Sequence, residues 1–159
     1  VGALAHRTRF AAELLASRPA VVRGNASEVM SLAGSGPGGR GVDTQASSEQ
    51  AIDAARALAR SAGCVVAVSG MVDFVTDGST VVAVPGGSPL MTKVTGVGCA
   101  LGALVAAFVA VESDVLFATA AASAVLAAAG ERAAVGRRGP GSFAVGLLDE
   151  IAALADAVR

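Results

Sequence analysis

The residues of this sequence best suited to chemistry fall in three short stretches. The first is Thr95-Gly96-Val97-Gly98-Cys99-Ala100-Leu101-Gly102, where two glycines stand directly before an apolar run that reads as a helix. Glycine lets the backbone approach a ligand closely, and the first N–H groups of a helix, at the positive end of its dipole, hold anionic oxygen. Such a loop suits the charge that builds on a phosphoryl group during transfer. It is neither a Walker loop nor a dinucleotide fingerprint, and the same pattern also serves as a glycine turn for tight helix–sheet packing. Cys99, at the start of that helix, is placed to act as base or nucleophile. The other use of a free cysteine there is as a small buried apolar side chain.

The second stretch is Arg23-Gly24-Asn25-Ala26-Ser27-Glu28, directly after an apolar strand. Asn25 and Glu28 have the spacing of a capping box. The same two residues could instead hold a Mg²⁺–water cluster near phosphates, with Arg23 on a nucleotide phosphate. Position favours the second use, because ligands of α/β proteins bind beyond the carboxyl ends of parallel strands. The third stretch runs from Val68-Ser69-Gly70 to Asp77-Gly78. Ser69 ends a buried strand, so its hydroxyl could meet a nucleotide phosphate, whereas Asp73 and Asp77 read as edge-strand and turn residues. Of the remaining polar candidates, His6 falls on an exposed first turn, Asp43 on a loop, and Ser142 at a helix N-cap.

The elements that must position these groups alternate in type. Helices are expected at Thr8–Ser17 with Thr8 as N-cap, at Asn25–Leu32, and from Ser47 or Ser48 to Ser61, the last carrying the stripe Ile52, Ala55, Leu58, Ala59. Strands are expected at Ala20–Val22, Val65–Val68, Asp73–Thr76 and Thr80–Val84, with Asp77-Gly78 as a hairpin turn. The segment 34–41 is rich in glycine and reads as a loop. From Gly98 onward only helices are expected, at about 98–110, 114–129 and 143–157. Short continuous apolar strands alternating with helices point to one α/β layered domain over residues 1–159.

Composition narrows the field further. The 159 residues are 53% hydrophobic, with 20 glycines and five Phe as the only aromatics, a globular profile with a core of small apolar side chains. Net charge is −1, and no basic run is longer than Arg137-Arg138, so neither a phosphate-neutralising face nor stacking rings are offered to a nucleic acid. The cysteines are 35 positions apart, at Cys64 and Cys99, and His6 is the one histidine, so zinc is not expected. Free thiols fit a reducing cytoplasm. The apolar runs Val97–Val111 and Val115–Gly130 are shorter than the ~20 residues that span a bilayer, so no membrane partner is expected.

Taken together in order and spacing, the segments Arg23–Glu28, Gly41–Asp43, Ala67–Gly70 with Asp73–Gly78, Met91–Gly102 and Gly139–Phe143 resemble the hydroxyethylthiazole kinases of the ribokinase-like superfamily. The resemblance implies a layered α/β/α domain with a mostly parallel central sheet, here without the family's N-terminal strands, because Val1-Gly2 match residues that follow an Asp-Pro in the family. It implies ATP-dependent phosphorylation of the primary alcohol of 4-methyl-5-(2-hydroxyethyl)thiazole in thiamine salvage. It also implies an anion hole at Gly96, Val97, Gly98 and Cys99, with Cys99 in the place of the superfamily's Asp base and Gly96 touching substrate. Arg23 and Ser69 match ATP-binding positions, Asn25 and Glu28 match a Mg²⁺ motif, and a homotrimer is the implied assembly. The alternatives are a related kinase for another alcohol, such as hydroxymethylpyrimidine, or a non-catalytic nucleotide-binding fragment.

Overall fold

The computed structural model describes residues 1–34 and 47–156, so Asp43 and most of the expected 34–41 loop lie outside the described residues. In chain order the elements are α1 (Ala5–Leu15), β1 (Val21–Asn25), α2 (Ala26–Leu32), α3 (Ile52–Ala62, led by a 3-10 turn), β2 (Val65–Ser69), β3 (Val72–Thr76), β4 (Val81–Pro85), α4 (Val97–Val109), α5 (Val115–Ala134) and α6 (Pro140–Asp156). The four strands form one sheet in sequence order. β1 and β2 are parallel, with Arg23 beside Ala67 and Asn25 beside Ser69. β2–β3 and β3–β4 are antiparallel, with Ala67 beside Val75 and Asp73 beside Val84. Among the described residues, therefore, one of the three pairings is parallel. The hairpins that follow β2 reverse the chain, because two- to four-residue connections permit only antiparallel neighbours.

Strand alternation sends successive side chains to opposite faces, and each face meets helices. Val66 and Val68, both fully buried, pack with Val29 of α2 and with Ala55 and Leu58 of α3. Val65, Ala67 and Val75 face the other way, against Val115, Leu116 and Ala120 of α5. A third cluster binds α4, α5 and α6 together through Leu101, Val105, Leu126, Phe143 and Leu147. Burying one such Val, Leu or Phe side chain contributes about 1.5–3 kcal/mol, so the three clusters hold the α/β/α layers mostly with aliphatic side chains, Phe143 being a fully buried ring among them. β1 and β4 are the outer strands of this sheet. Beside β1 lies a cavity of about 420 Å³ walled by Val21 and Arg23 and by Gly102, Val105, Ala106 and Val109 of α4.

Several local expectations are corrected. Helix α1 starts at Ala5 rather than Thr8, and Leu4 occupies the cap without a side-chain bond. Thr8 Oγ1 instead accepts from the Gly2 N–H at 2.7 Å and donates to the Leu4 carbonyl, so it ties down the approach to the helix from inside. Helix α6 starts at Pro140, whose fixed φ suits a first helical position. Ser142 therefore lies inside the helix and donates to the Gly139 carbonyl rather than capping. Helix α5 runs for 20 residues, beyond the expected end, and is long and apolar enough to cross a membrane. Its buried face, including Ala118, Ala122, Leu126 and Ala129, packs against the sheet and the neighbouring helices, which makes it the core helix of the domain. Asp73 sits in β3, an inner strand and not an edge.

Candidate active site

The end of β1 is polar because its sequence leaves the apolar alternation at Arg23. The side chains of Val21, Arg23 and Asn25 share the face turned toward α4 and α5, and Ala67 and Ser69 of β2 lie in the same rows. The Arg23 guanidinium crosses these rows. Its Nη2 donates to Ser69 Oγ at 2.8 Å, and its Nη1 donates to the Gly98 carbonyl at 2.9 Å, 75 residues away in sequence. One planar fork thus joins the ends of two parallel strands to the first turn of α4. Gly98 admits that approach: a Cβ there would stand 3.2 Å from Nη1 and 3.3 Å from Nη2.

The loop before α4 is shaped by Gly96, whose φ of 97° lies in the left-handed region that side-chain-bearing residues avoid. Gly96 is also the N-cap, so no side chain covers the helix start. The first intrahelical bond runs from the Ala100 N–H to the Gly96 carbonyl at 2.9 Å. The N–H groups of Val97, Gly98 and Cys99 precede it and have no carbonyl within the helix to pair with. Val97 directs its side chain into the α4–α5–α6 cluster, so it offers only its backbone to the loop. Cys99 is exposed, which sets aside its reading as a buried apolar filler. Cys64 takes that structural role: it is buried at the start of β2, and burial pushes its thiol up from the ordinary value.

Asn25 and Glu28 form the capping box that their spacing predicts. Asn25 Oδ1 accepts the Glu28 N–H at 3.0 Å, and Glu28 Oε2 accepts the Asn25 N–H at 2.9 Å. Ser27 Oγ also donates to Asn25 Oδ1, at 3.0 Å, so that amide oxygen is already engaged twice. Among the described residues no three His, Cys, Asp or Glu side chains gather at one point. The pair could hold a Mg²⁺ through water but does not form a closed protein cage, and Glu28 Oε1, outside the cap, lies 3.6 Å from the Val1 amino nitrogen. A nucleotide phosphate fits better still. Arg23 Nε is buried without a hydrogen-bond partner, and such a donor is costly unless something accepts from it.

Of the residues singled out in the sequence, Arg23, Ser69 and the Gly96–Cys99 loop are brought together, with Asn25 directly beside Ser69 on the neighbouring strand. Sequence reasoning set Asp73 aside, yet its Oδ1 accepts the Gly70 N–H at 2.9 Å, beside Ser69. Burial pushes its carboxyl up, and the Gly70 N–H and the nearby Arg23 charge offset that only in part. Ser48, by sequence a possible helix start, also closes on this corner, donating to the Val72 carbonyl at 2.7 Å. The signal for both is the β2–β3 register, which no local motif carries.

Comparisons with known proteins give the family of the chain. The family model described as "Hydroxyethylthiazole kinase family" matches residues 1–157. A hydroxyethylthiazole kinase of Kineococcus radiotolerans is 57% identical over 160 residues, covering 100% of this chain and 58% of the relative. One from Leptospira interrogans is 53% identical over 151 residues, covering 95% of this chain and 57% of the relative. The solved structure of the hydroxyethylthiazole kinase protein from Pyrococcus horikoshii OT3 superposes with a TM-score of 0.83 at 38% identity, over 95% of this chain and 56% of that one. The chain thus spans somewhat under three-fifths of the length of these relatives. By sequence and by fold it belongs to the hydroxyethylthiazole kinase family.

Proposed function

We propose that these residues form one kinase domain that transfers the γ-phosphoryl group of ATP to the primary alcohol of 4-methyl-5-(2-hydroxyethyl)thiazole. The observation that carries the reading is the Arg23 fork, which ties the Ser69 hydroxyl to the backbone of the Gly96–Cys99 loop. In this reading Arg23 and Ser69 bind nucleotide phosphate, with the unpartnered Arg23 Nε as a further donor. The N–H groups of Val97, Gly98 and Cys99 receive the charge on the moving phosphoryl group, Gly96 lets the alcohol approach, and Cys99 orients the alcohol and takes its proton. Little covalent chemistry is asked of the protein, so positioning and electrostatic stabilisation supply most of the rate. Bound with ATP, Mg²⁺ neutralises charge across the phosphates, and Asn25 and Glu28 would hold it through water.

The names of the relatives support the thiazole alcohol as acceptor. A homotrimer is in keeping with the family and with α1, which exposes Leu4, Phe10 and Leu14 and buries no residue. A cytoplasmic site of action fits two free thiols and bacterial relatives. The test uses the native polypeptide that contains these residues, supplied with ATP–Mg²⁺ and either the hydroxyethylthiazole or hydroxymethylpyrimidine. Turnover of the thiazole alcohol is expected, and Cys99→Ala is expected to lower kcat at least tenfold, the scale of a lost general base. Preference for the pyrimidine alcohol would reassign the substrate. Binding of ATP by calorimetry without turnover of either would reduce the chain to a nucleotide-binding protein.

A further inference from the structure

Asp73 is a partly buried carboxylate that the roles above leave unused. The register that sets Ala67 beside Val75 and Val68 beside Phe74 continues to Ser69 opposite Asp73, so both side chains stand on the Arg23 face of the sheet. Between them the chain turns through Gly70 and Met71. Met71 is almost fully exposed, at 93%, and contributes nothing to the turn's rigidity. Two other contacts fix it. Asp73 Oδ1 holds the Gly70 N–H, and Ser48 Oγ holds the Val72 carbonyl across the same bend. The fit is close: a Cβ on Gly70 would come within 2.7 Å of Ser48 Cβ. Ser69, the residue that accepts one arm of Arg23, is the last residue of β2 and directly precedes this pinned turn.

We infer that Asp73 is a positioning residue for the nucleotide site: by holding the Gly70 N–H it fixes the Ser69 hydroxyl, which in turn fixes the Arg23 guanidinium against the Gly98 carbonyl. Asp73 touches neither substrate nor reacting atoms. Its effect passes through Ser69 and Arg23, and so belongs to ATP rather than to the acceptor alcohol. Partial burial makes a carboxylate more costly at this corner than a neutral side chain would be. The acceptor oxygen, set at a fixed distance from the Gly70 N–H, is the property that a shorter or longer side chain cannot supply.

The inference rests on the kinase reading, and its test keeps the two apart. Steady-state kinetics of the native polypeptide are measured for wild type, Asp73→Ala and Asp73→Asn, with KM determined separately for ATP and for the thiazole alcohol, and with the Kd for ATP by calorimetry. Asp73→Ala is expected to raise KM and Kd for ATP about tenfold, the worth of one well-placed hydrogen bond, while KM for the alcohol moves less than twofold. Asp73→Asn keeps the acceptor oxygen and is expected to stay within about threefold of wild type for ATP. A merely structural role would move both KM values together, or lower thermal stability with no split between them, and either result overturns the inference. So does an Ala variant with unchanged ATP affinity. If Asp73→Ala does not fold, Asp73→Glu decides, since it keeps the charge but displaces the oxygen: unchanged KM for ATP refutes the positioning role, and an ATP-selective rise upholds it. Absence of turnover by the wild type sinks the kinase reading first, a result that none of the variant outcomes in an active enzyme can imitate.

Discussion

Asp73 and Asp77 stand at the two ends of β3, and their carboxyls move in opposite directions from the ordinary aspartate value. Asp77 is exposed, and its Oδ1 accepts the Thr80 N–H at 2.7 Å, the Ser79 N–H at 2.8 Å and the Ser79 hydroxyl at 2.8 Å, which together hold the carboxyl down. Every one of those partners lies within three residues. Arg56 and Arg60 of α3 then clamp the same turn through the Gly78 carbonyl. At the other end Asp73 is partly buried and pushed up; its hydrogen-bond partner, the Gly70 N–H, is as local as those of Asp77, but the charge that bears on it comes from Arg23 of β1. The exposed end is fully satisfied by its own turn and does nothing further. The buried end is left with a cost and an orphaned Arg23 nitrogen.

That contrast can be broken or sharpened by substitution. The largest effect is expected at the buried end. Arg23→Ala removes two charged hydrogen bonds, each contributing about 1.5–3 kcal/mol when well formed, and is expected to weaken ATP binding ten- to hundredfold by calorimetry. An ATP affinity that survives the substitution would move the nucleotide away from this corner. A smaller effect, on stability alone, is expected at the exposed end. Gly78 has a φ of +95°, and a Cβ there would stand 2.6 Å from Arg60 Cγ. Gly78→Ala should cost about 1–2 kcal/mol in urea unfolding and leave both KM values in place; a change in KM would mean that the two ends communicate.

The smallest effect is in pH dependence. Asp77 is depressed in the folded chain, so its contribution is present above about pH 4, the ordinary aspartate value, and is lost as pH falls through its lower folded value. Asp73 is raised, so the folded state gains relative to the unfolded chain when it is protonated, and that gain is lost as pH rises from about 4 through its higher folded value. Tm measured against pH should therefore change in opposite senses for the two neutral variants. Asp77→Asn should lose less stability than wild type below about pH 4, and Asp73→Asn should lose less than wild type as pH rises above it. Parallel curves would erase the distinction between the two ends.

What could be read from the sequence follows the same division. The Asp77-Gly78 turn, the capping box of Asn25 and Glu28, the buried strand Val65–Val68 and the glycine-led helix at Val97 are each specified within a few residues, and each is found. Helix starts at α1 and α6 were misplaced because Thr8 and Ser142 are plausible caps by type but sit one turn inside, bonded back to the chain. The clustering of Arg23, Ser69 and Gly98 was reached by family likeness, since no local rule joins residues 75 positions apart. From sequence Asp73 reads only as an edge-strand or turn residue. Its meaning depends on which residue of β2 it faces, and register is a property of the assembled sheet.

The Arg23–Gly98 bond has one consequence for direction. A trans peptide is a rigid plate whose carbonyl and amide hydrogen point opposite ways. Arg23 grips the oxygen of the plate between Gly98 and Cys99, so it also aims the hydrogen at the plate's far side. The guanidinium works like a hand on one end of a seesaw: in the proposed reading, the side that receives the phosphoryl oxygen is steered from the side that holds the nucleotide.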